Sequence, residues 1–199
     1  MSKIKLPHSS GNSMSITAPA TNPASDLELK LPATIGTANQ VLRNSSTPGT
    51  LEFGGPLAFF VKLDSTQAMA DNTYVKIEWN NEDIDTDNAF DSSTNYRFTV
   101  PANKGGIYWF NSHIRIDNGN GAIRNAALRF YKNGSGFSPY VYSDEFESHN
   151  RYQVILDSSM LMNLNAGDYI EVYAHADTSA GSLSCNNAQS WFQGYKLGG

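Results

Sequence analysis

Cysteine occurs once in the chain, at Cys185, so no disulfide can form within it and the fold must be held by burial and by association. Charge is sparse as well, with charged residues at 17% and a formal net charge of -5. That balance supplies no basic patch to neutralise a phosphate backbone, which excludes nucleic acid as the expected partner. Long apolar runs are also missing. No stretch approaches the roughly 18 apolar residues of a membrane span, and the opening MSKIKLPHSSGNSMS lacks the apolar centre of a secretory signal. The expectation is a protein made in a cytoplasm and not inserted in a membrane.

Aromatic residues are plentiful, with ten Tyr, ten Phe and three Trp, the balance that suits a pleated, half-buried surface. A chain of 199 residues is long enough for one ordinary domain and an appendage. Composition divides it near Pro56. Residues 1–56 are dominated by Ser, Thr, Asn, Ala, Pro and Gly and cannot build a core of their own. Leu27, Leu29 and Leu31 alternate with polar residues, Val41 and Leu42 follow, and Leu51 and Phe53 alternate before Gly54-Gly55-Pro56. These read as short strands with no partner inside one chain, the alternative being a flexible linker.

Residues 57–199 carry the signal of a folded all-β domain. Val75, Ile77 and Trp79 share one face of TYVKIEW, and Tyr96, Phe98 and Val100 share one face of NYRFTVP. In GIYWFNSHIRID, Tyr108, Phe110, Ile114 and Ile116 lie opposite Asn111, His113, Arg115 and Asp117. Leu128 and Phe130 turn inward before Asn133-Gly134, a dipeptide suited to a tight hairpin. Ile170, Val172 and Ala174 repeat the pattern after Ala166-Gly167, and LAFFVKL, RYQVILDSS and SWFQGYKL supply further strands. About eight strands with turn signals between them predict a sandwich or jelly roll.

No arrangement for catalysis is legible, and no catalytic residue is assigned. His8, His113, His149 and His175 are far apart in sequence, without zinc-like spacing. His113 and His175 fall on outward faces, where solvent or interface contact is the ordinary role and a metal or pH-sensing role the alternative. In NEDIDTDNAFD, Asp83, Asp85, Asp87 and Asp91 occupy the first, third, fifth and ninth positions of a calcium-loop pattern. Asn88 replaces its glycine and Thr94 its bidentate glutamate, so a calcium hand is excluded. Two readings stay open: a solvated acidic loop, or a weak calcium site on Asp83, Asp85 and Asp87. No other cofactor is expected.

The order FDSSTNYRFTVPANKGGIYWF, LRFYKNG, MLMNLNAGDYIEVYAHA and SWFQGYKL closely resembles the globular heads of the complement component one, subcomponent q family, which are tumour-necrosis-factor-like jelly rolls. The matching positions are Gly106, Tyr108 and Phe110, then Leu161, Leu164, Gly167 and Asp168, then Phe192 and Gly194. The resemblance implies a ten-stranded jelly roll and compact homotrimers. Ile107 and Trp109 interrupt the polar face of their strand, as Tyr169 and Tyr173 do beside Glu171, which makes these four the candidate trimer interface. The alternative is that their rings pack under loops of one subunit.

The N-terminal phrases LKLP and GTANQVL…GTLEF are similar to the attachment regions of bacteriophage fibre proteins. Together the resemblances imply a virion structural protein, made in the host cytoplasm: a trimeric tail fibre or knob for host attachment and receptor binding. Its N-terminal segment would dock on other virion proteins. The alternative is a capsid decoration or head-fibre protein of the same architecture. The host partner would be a cell-surface glycan or protein, with Tyr140, Tyr142 and His149 of the turn-rich, aromatic segment as candidate receptor-binding residues. A carbohydrate-active enzyme would need a convergent carboxylate pair, which the spacing does not offer.

Overall fold

The computed structural model describes residues 3–7, 10–11, 13–17, 20–21, 23–26, 28–38, 40–45, 47, 49–120, 123–137, 141–143 and 151–198. Its contacts divide the chain into two units, Met1–Gly54 and Gly55–Gly199.

In the first unit β1 (Lys3–Pro7) pairs antiparallel with β2 (Ser13–Thr17), setting Ile4 opposite Ile16 and Leu6 opposite Met14. β3 (Val41–Asn44) pairs with β4 (Leu51–Gly54), with Leu42 opposite Phe53 and Arg43 Nε 3.0 Å from Glu52 Oε1. The second hairpin corrects the expectation that these short strands lack a partner within the chain. Its reversal is local: Ser45 N–H donates to Thr50 O at 2.8 Å, and Ser45 Oγ accepts from Thr47 N–H at 3.1 Å. No described apolar side chain of this unit is buried, and Ile4, Ile16, Leu31 and Ile35 are 65%, 64%, 73% and 92% exposed. Paired strands without a core are marginal by themselves.

The second unit is a sandwich of two sheets, each of seven strands among the described residues. The first contains β5 (Ala58–Lys62), β6 (Gln67–Met69), β8 (Asn81–Asp85), β11 (Gly106–Asn118), β15 (Gln153–Leu164), β17 (Leu183–Cys185) and β18 (Trp191–Gly198). Its order is β6-β17-β11-β18-β5-β8, with β15 on the other flank of β11. The second contains β7 (Val75–Lys76), β9 (Phe90–Asp91), β10 (Arg97–Thr99), β12 (Ile123–Lys132), β13 (Ser135–Gly136), β14 (Val141–Ser143) and β16 (Tyr169–Thr178). Here β12 and β16 form the central ladder, with β13 and β14 beside β12 and with β10 and β7 beside β16. Every ladder of the sandwich is antiparallel, as hairpins and Greek-key connections require.

Strict alternation drives this layout. Tyr108, Phe110, Ile114 and Ile116 of β11 are fully buried, and Ile170, Val172 and Ala174 of β16 face them from the other sheet. Phe59 anchors the core, stacked on Phe98 at 5.0 Å and edge-on to Phe192 at 4.9 Å. Gly194 makes room for that packing, because a Cβ there would stand 2.6 Å from the Phe110 ring and 2.8 Å from the Phe59 ring. Asn133 and Gly134 both have positive φ, 53° and 77°, and close the β12–β13 hairpin as their types predict. The one helical element among the described residues is a 3-10 turn, Asn187–Gln189, capped by Asn186.

Candidate functional site

The outward face of the first sheet is the most unusual surface of the sandwich. Trp109 of β11 stands between Leu161 of β15 and Tyr195 of β18 in register, with its ring 5.2 Å from that of Tyr195. On β5, Phe60 lies opposite Gln193 of β18 on one side and Ile84 of β8 on the other. Ile84, Ile107, Ile155, Leu161, Tyr195 and Leu197 are 50%, 47%, 51%, 61%, 41% and 54% exposed, far more than isolated apolar residues on a solvent face.

A closed polar network sits within this apolar face. Asn111, buried on β11, donates from Nδ2 to Asp157 Oδ1 at 3.0 Å and to Ser159 Oγ at 3.2 Å. Its Oδ1 accepts from Gln193 Nε2 at 3.2 Å and Trp191 Nε1 at 3.4 Å. His113 extends the network, with Nδ1 3.1 Å from Asp157 Oδ2 and its ring on Trp191. Cross-strand register alone brings these side chains together: Asn111 is opposite Ser159 and Gln193, and His113 opposite Asp157 and Trp191. The result is a face whose central polar groups are already bonded and whose surroundings are apolar, the composition of an interface centre.

The four candidate interface residues do not share a surface. Ile107 and Trp109 lie on this face, whereas Tyr169 and Tyr173 lie on the outward face of the second sheet, because β11 and β16 belong to opposite layers. Leu161 and Tyr195 flank Trp109, Leu197 lies two residues beyond Tyr195, and Ile155 lies farther along the same face, opposite Arg115. Their signal was present in the sequence: Gln153–Leu164 is one unbroken strand in which Ile155 and Leu161 fall among polar residues of outward parity.

The second sheet's outer face is aromatic and charged. Tyr131 stacks on Tyr173 with centroids 3.9 Å apart, and the Arg97 guanidinium lies 4.0 Å above the Tyr169 ring. Glu171 is buried and bonded to Lys76 Nζ at 2.5 Å, and Asp168 meets Lys132 Nζ at 2.9 Å. The Asn133 amide, the Asn165 N–H and Lys132 hold the Asp168 carboxyl at about 2. Burial, then Glu171, Tyr131 and Tyr169, push Tyr173 above the ordinary phenol range. His175 is also on this sheet, Nε2 3.1 Å from Asn72 Oδ1, so His113 and His175 are on opposite layers and do not form a pair.

The acidic segment begins as a strand and not as a loop. Asn81–Asp85 is an extended strand paired with β5, and its carboxylates are put to other uses. Asp83 pairs with Lys62 Nζ at 2.7 Å, and Asp85 accepts from the N–H groups of Ala89 and Phe90 at 3.0 and 2.8 Å. Asp87 lies beyond the strand, near enough to Tyr108 to add to the effect of burial, which raises that phenol to about 12. Asp91 accepts from Thr94 N–H at 2.9 Å and Asn95 Nδ2 at 2.7 Å, which holds it far below the usual carboxylate range. Among the described residues no three His, Cys, Asp or Glu side chains are placed to share a metal. Asp83 and Asp85 are thus engaged by Lys62 and by backbone N–H groups, as the reading of a solvated acidic segment has it, and are not gathered with Asp87.

Of the receptor-binding candidates, Tyr142 lies on β14 opposite Ala127, and Tyr140 and His149 lie outside the described residues. Cys185 is fully buried, and its thiol is pushed up to about 12 by desolvation.

No family model matches the chain, and no curated protein matches its sequence. Solved structures do. The globular domain of zebrafish complement 1qA protein superposes with a TM-score of 0.50 at 16% identity, covering 71% of this chain and 97% of that one. The structure of Eiger TNF from S. frugiperda gives 0.51 at 11% identity, covering 72% and 93%. Murine APRIL, crystallised at pH 5.0, gives 0.53 at 12% identity, covering 71% and 99%. With its antiparallel two-sheet sandwich, this chain has the fold of the complement- and tumour-necrosis-factor-like jelly rolls.

Proposed function

We propose that this chain is a bacteriophage virion structural protein, a trimeric fibre or knob whose heads bind the host surface and whose N-terminal unit docks on other virion proteins. The observation that carries the trimer is the apolar outward face of the first sheet. Six exposed apolar side chains around a saturated polar centre gain most by being covered, and three copies of one head can cover one another. The coreless N-terminal unit supports the anchor: its exposed Ile4, Ile16, Leu31 and Ile35 need burial that the described residues of this unit do not supply. Its resemblance to phage attachment segments supplies the setting. Multiple heads held together convert weak single contacts into firm adsorption.

Sedimentation of the purified full chain tests the assembly, with a trimer expected and a stable monomer overturning it. Gold labelling of intact particles tests the setting. Label at the tail supports host attachment, and label over the shell assigns the protein to capsid decoration instead.

A further inference from the structure

The groups left unbonded on the outward face of the second sheet define a ligand. The carboxylates on and beside this face are engaged: Glu171 by Lys76, Asp168 by Lys132, Asn133 and Asn165, Asp177 by Arg124, and Asp91, opposite Arg97, by Thr94 N–H and the Asn95 amide. Arg97 makes no ion pair with a described carboxylate; its guanidinium rests on the Tyr169 ring. The hydroxyls of Tyr131, Tyr169 and Tyr173 have no hydrogen-bond partner among the described residues, yet they are close enough to influence one another electrostatically. The second guanidinium of the face, Arg129, donates to the carbonyls of Gly136 and Phe137, so what is left to a ligand among the described residues is the Arg97 guanidinium and three phenols, groups that can all donate, beside aromatic surface. A ligand that satisfies them is rich in acceptors and carries negative charge.

We propose that the Arg97–Tyr169–Tyr131–Tyr173 face binds an anionic saccharide. Ring edges and hydroxyls suit a sugar's alternating apolar and polar surface, and Arg97 takes its carboxylate or sulfate. The face lies on the sheet opposite the proposed subunit contact, and so remains outward when that contact forms. The inference rests on the attachment reading for its biological setting but not for its chemistry.

Titration calorimetry of the full chain against tri-galacturonic acid and a heparin-derived tetrasaccharide tests it, with maltotriose as the neutral control. The two acidic probes separate carboxylate from sulfate recognition. The expected result is binding of at least one acidic probe, none of maltotriose, and a loss of about tenfold or more in Arg97→Gln. Tyr169→Phe and Tyr173→Phe keep the rings and remove one hydroxyl each, so a weaker but measurable loss is expected in both. Failure of both acidic probes to bind overturns the inference. So does binding unchanged in all three variants, or equal binding of a thymidine octanucleotide. Host-cell adsorption is scored separately: adsorption unaltered by variants that lose the sugar assigns attachment to another surface of the protein, whereas sugar binding without adsorption removes attachment and leaves the site.

Discussion

His113 lies flat on Trp191, with centroids 4.0 Å apart and planes 5° from parallel, while its Nδ1 stands 3.1 Å from Asp157. One residue thus joins an aromatic contact to a polar network across three adjacent strands. His113→Ala should cost about 1 kcal/mol of stability, the scale of a stacked aromatic pair. A double-mutant cycle with Trp191→Ala in urea denaturation measures the coupling; additive single effects would contradict it.

Trp109→Glu places a charge on the apolar face without touching the buried core. The expected outcome is loss of trimer in sedimentation velocity with an unchanged circular dichroism spectrum. A variant that stays trimeric would move the subunit contact elsewhere.

Gly194→Ala adds a methyl 2.6 Å from the Phe110 ring and 2.8 Å from the Phe59 ring. Both rings are buried among others and have little room to shift, so overpacking should cost about 1–3 kcal/mol. The midpoint of guanidinium unfolding reports it.

Asp168 has a folded-state value of about 2, below that of an unfolded aspartate. Its contribution is complete above the unfolded value near 4 and is lost as pH falls toward 2. Asp168→Asn should lower stability at neutral pH by about 1–2 kcal/mol, the scale of a charge-assisted hydrogen bond, and flatten the acid limb between pH 4 and 2. Urea midpoints measured at several pH values check both effects.

Cys185 is buried and its thiol is raised to about 12. It should resist a thiol-specific colorimetric reagent in the native protein and react fully in guanidinium. Rapid native labelling would mean that the β6–β17 edge opens.

The long strands of the sandwich were legible because each has a clean period of two. Tyr108, Phe110, Ile114 and Ile116 all point inward as their parity requires, and Asn133-Gly134 makes the expected hairpin. Short strands were less visible. Asn81–Asp85 reads as an acidic loop because its pairing with β5 is a matter of backbone bonds and of Lys62, which sequence spacing does not encode. The candidate site was half legible. Trp109 announced itself as an aromatic on a polar face, but its neighbours Leu161 and Tyr195 become neighbours only through register between distant strands. Tyr169 and Tyr173 looked equivalent to Trp109 in sequence, and only sheet membership separates them.

Asn111 has a further consequence for assembly. Since its amide is saturated by side chains of its own subunit, it holds nothing in reserve to recognise a neighbour. In the proposed trimer, subunit choice at this position would then rest on contour, which discriminates poorly between close variants. Heads differing in a few surface residues should co-assemble into mixed particles as readily as into uniform ones.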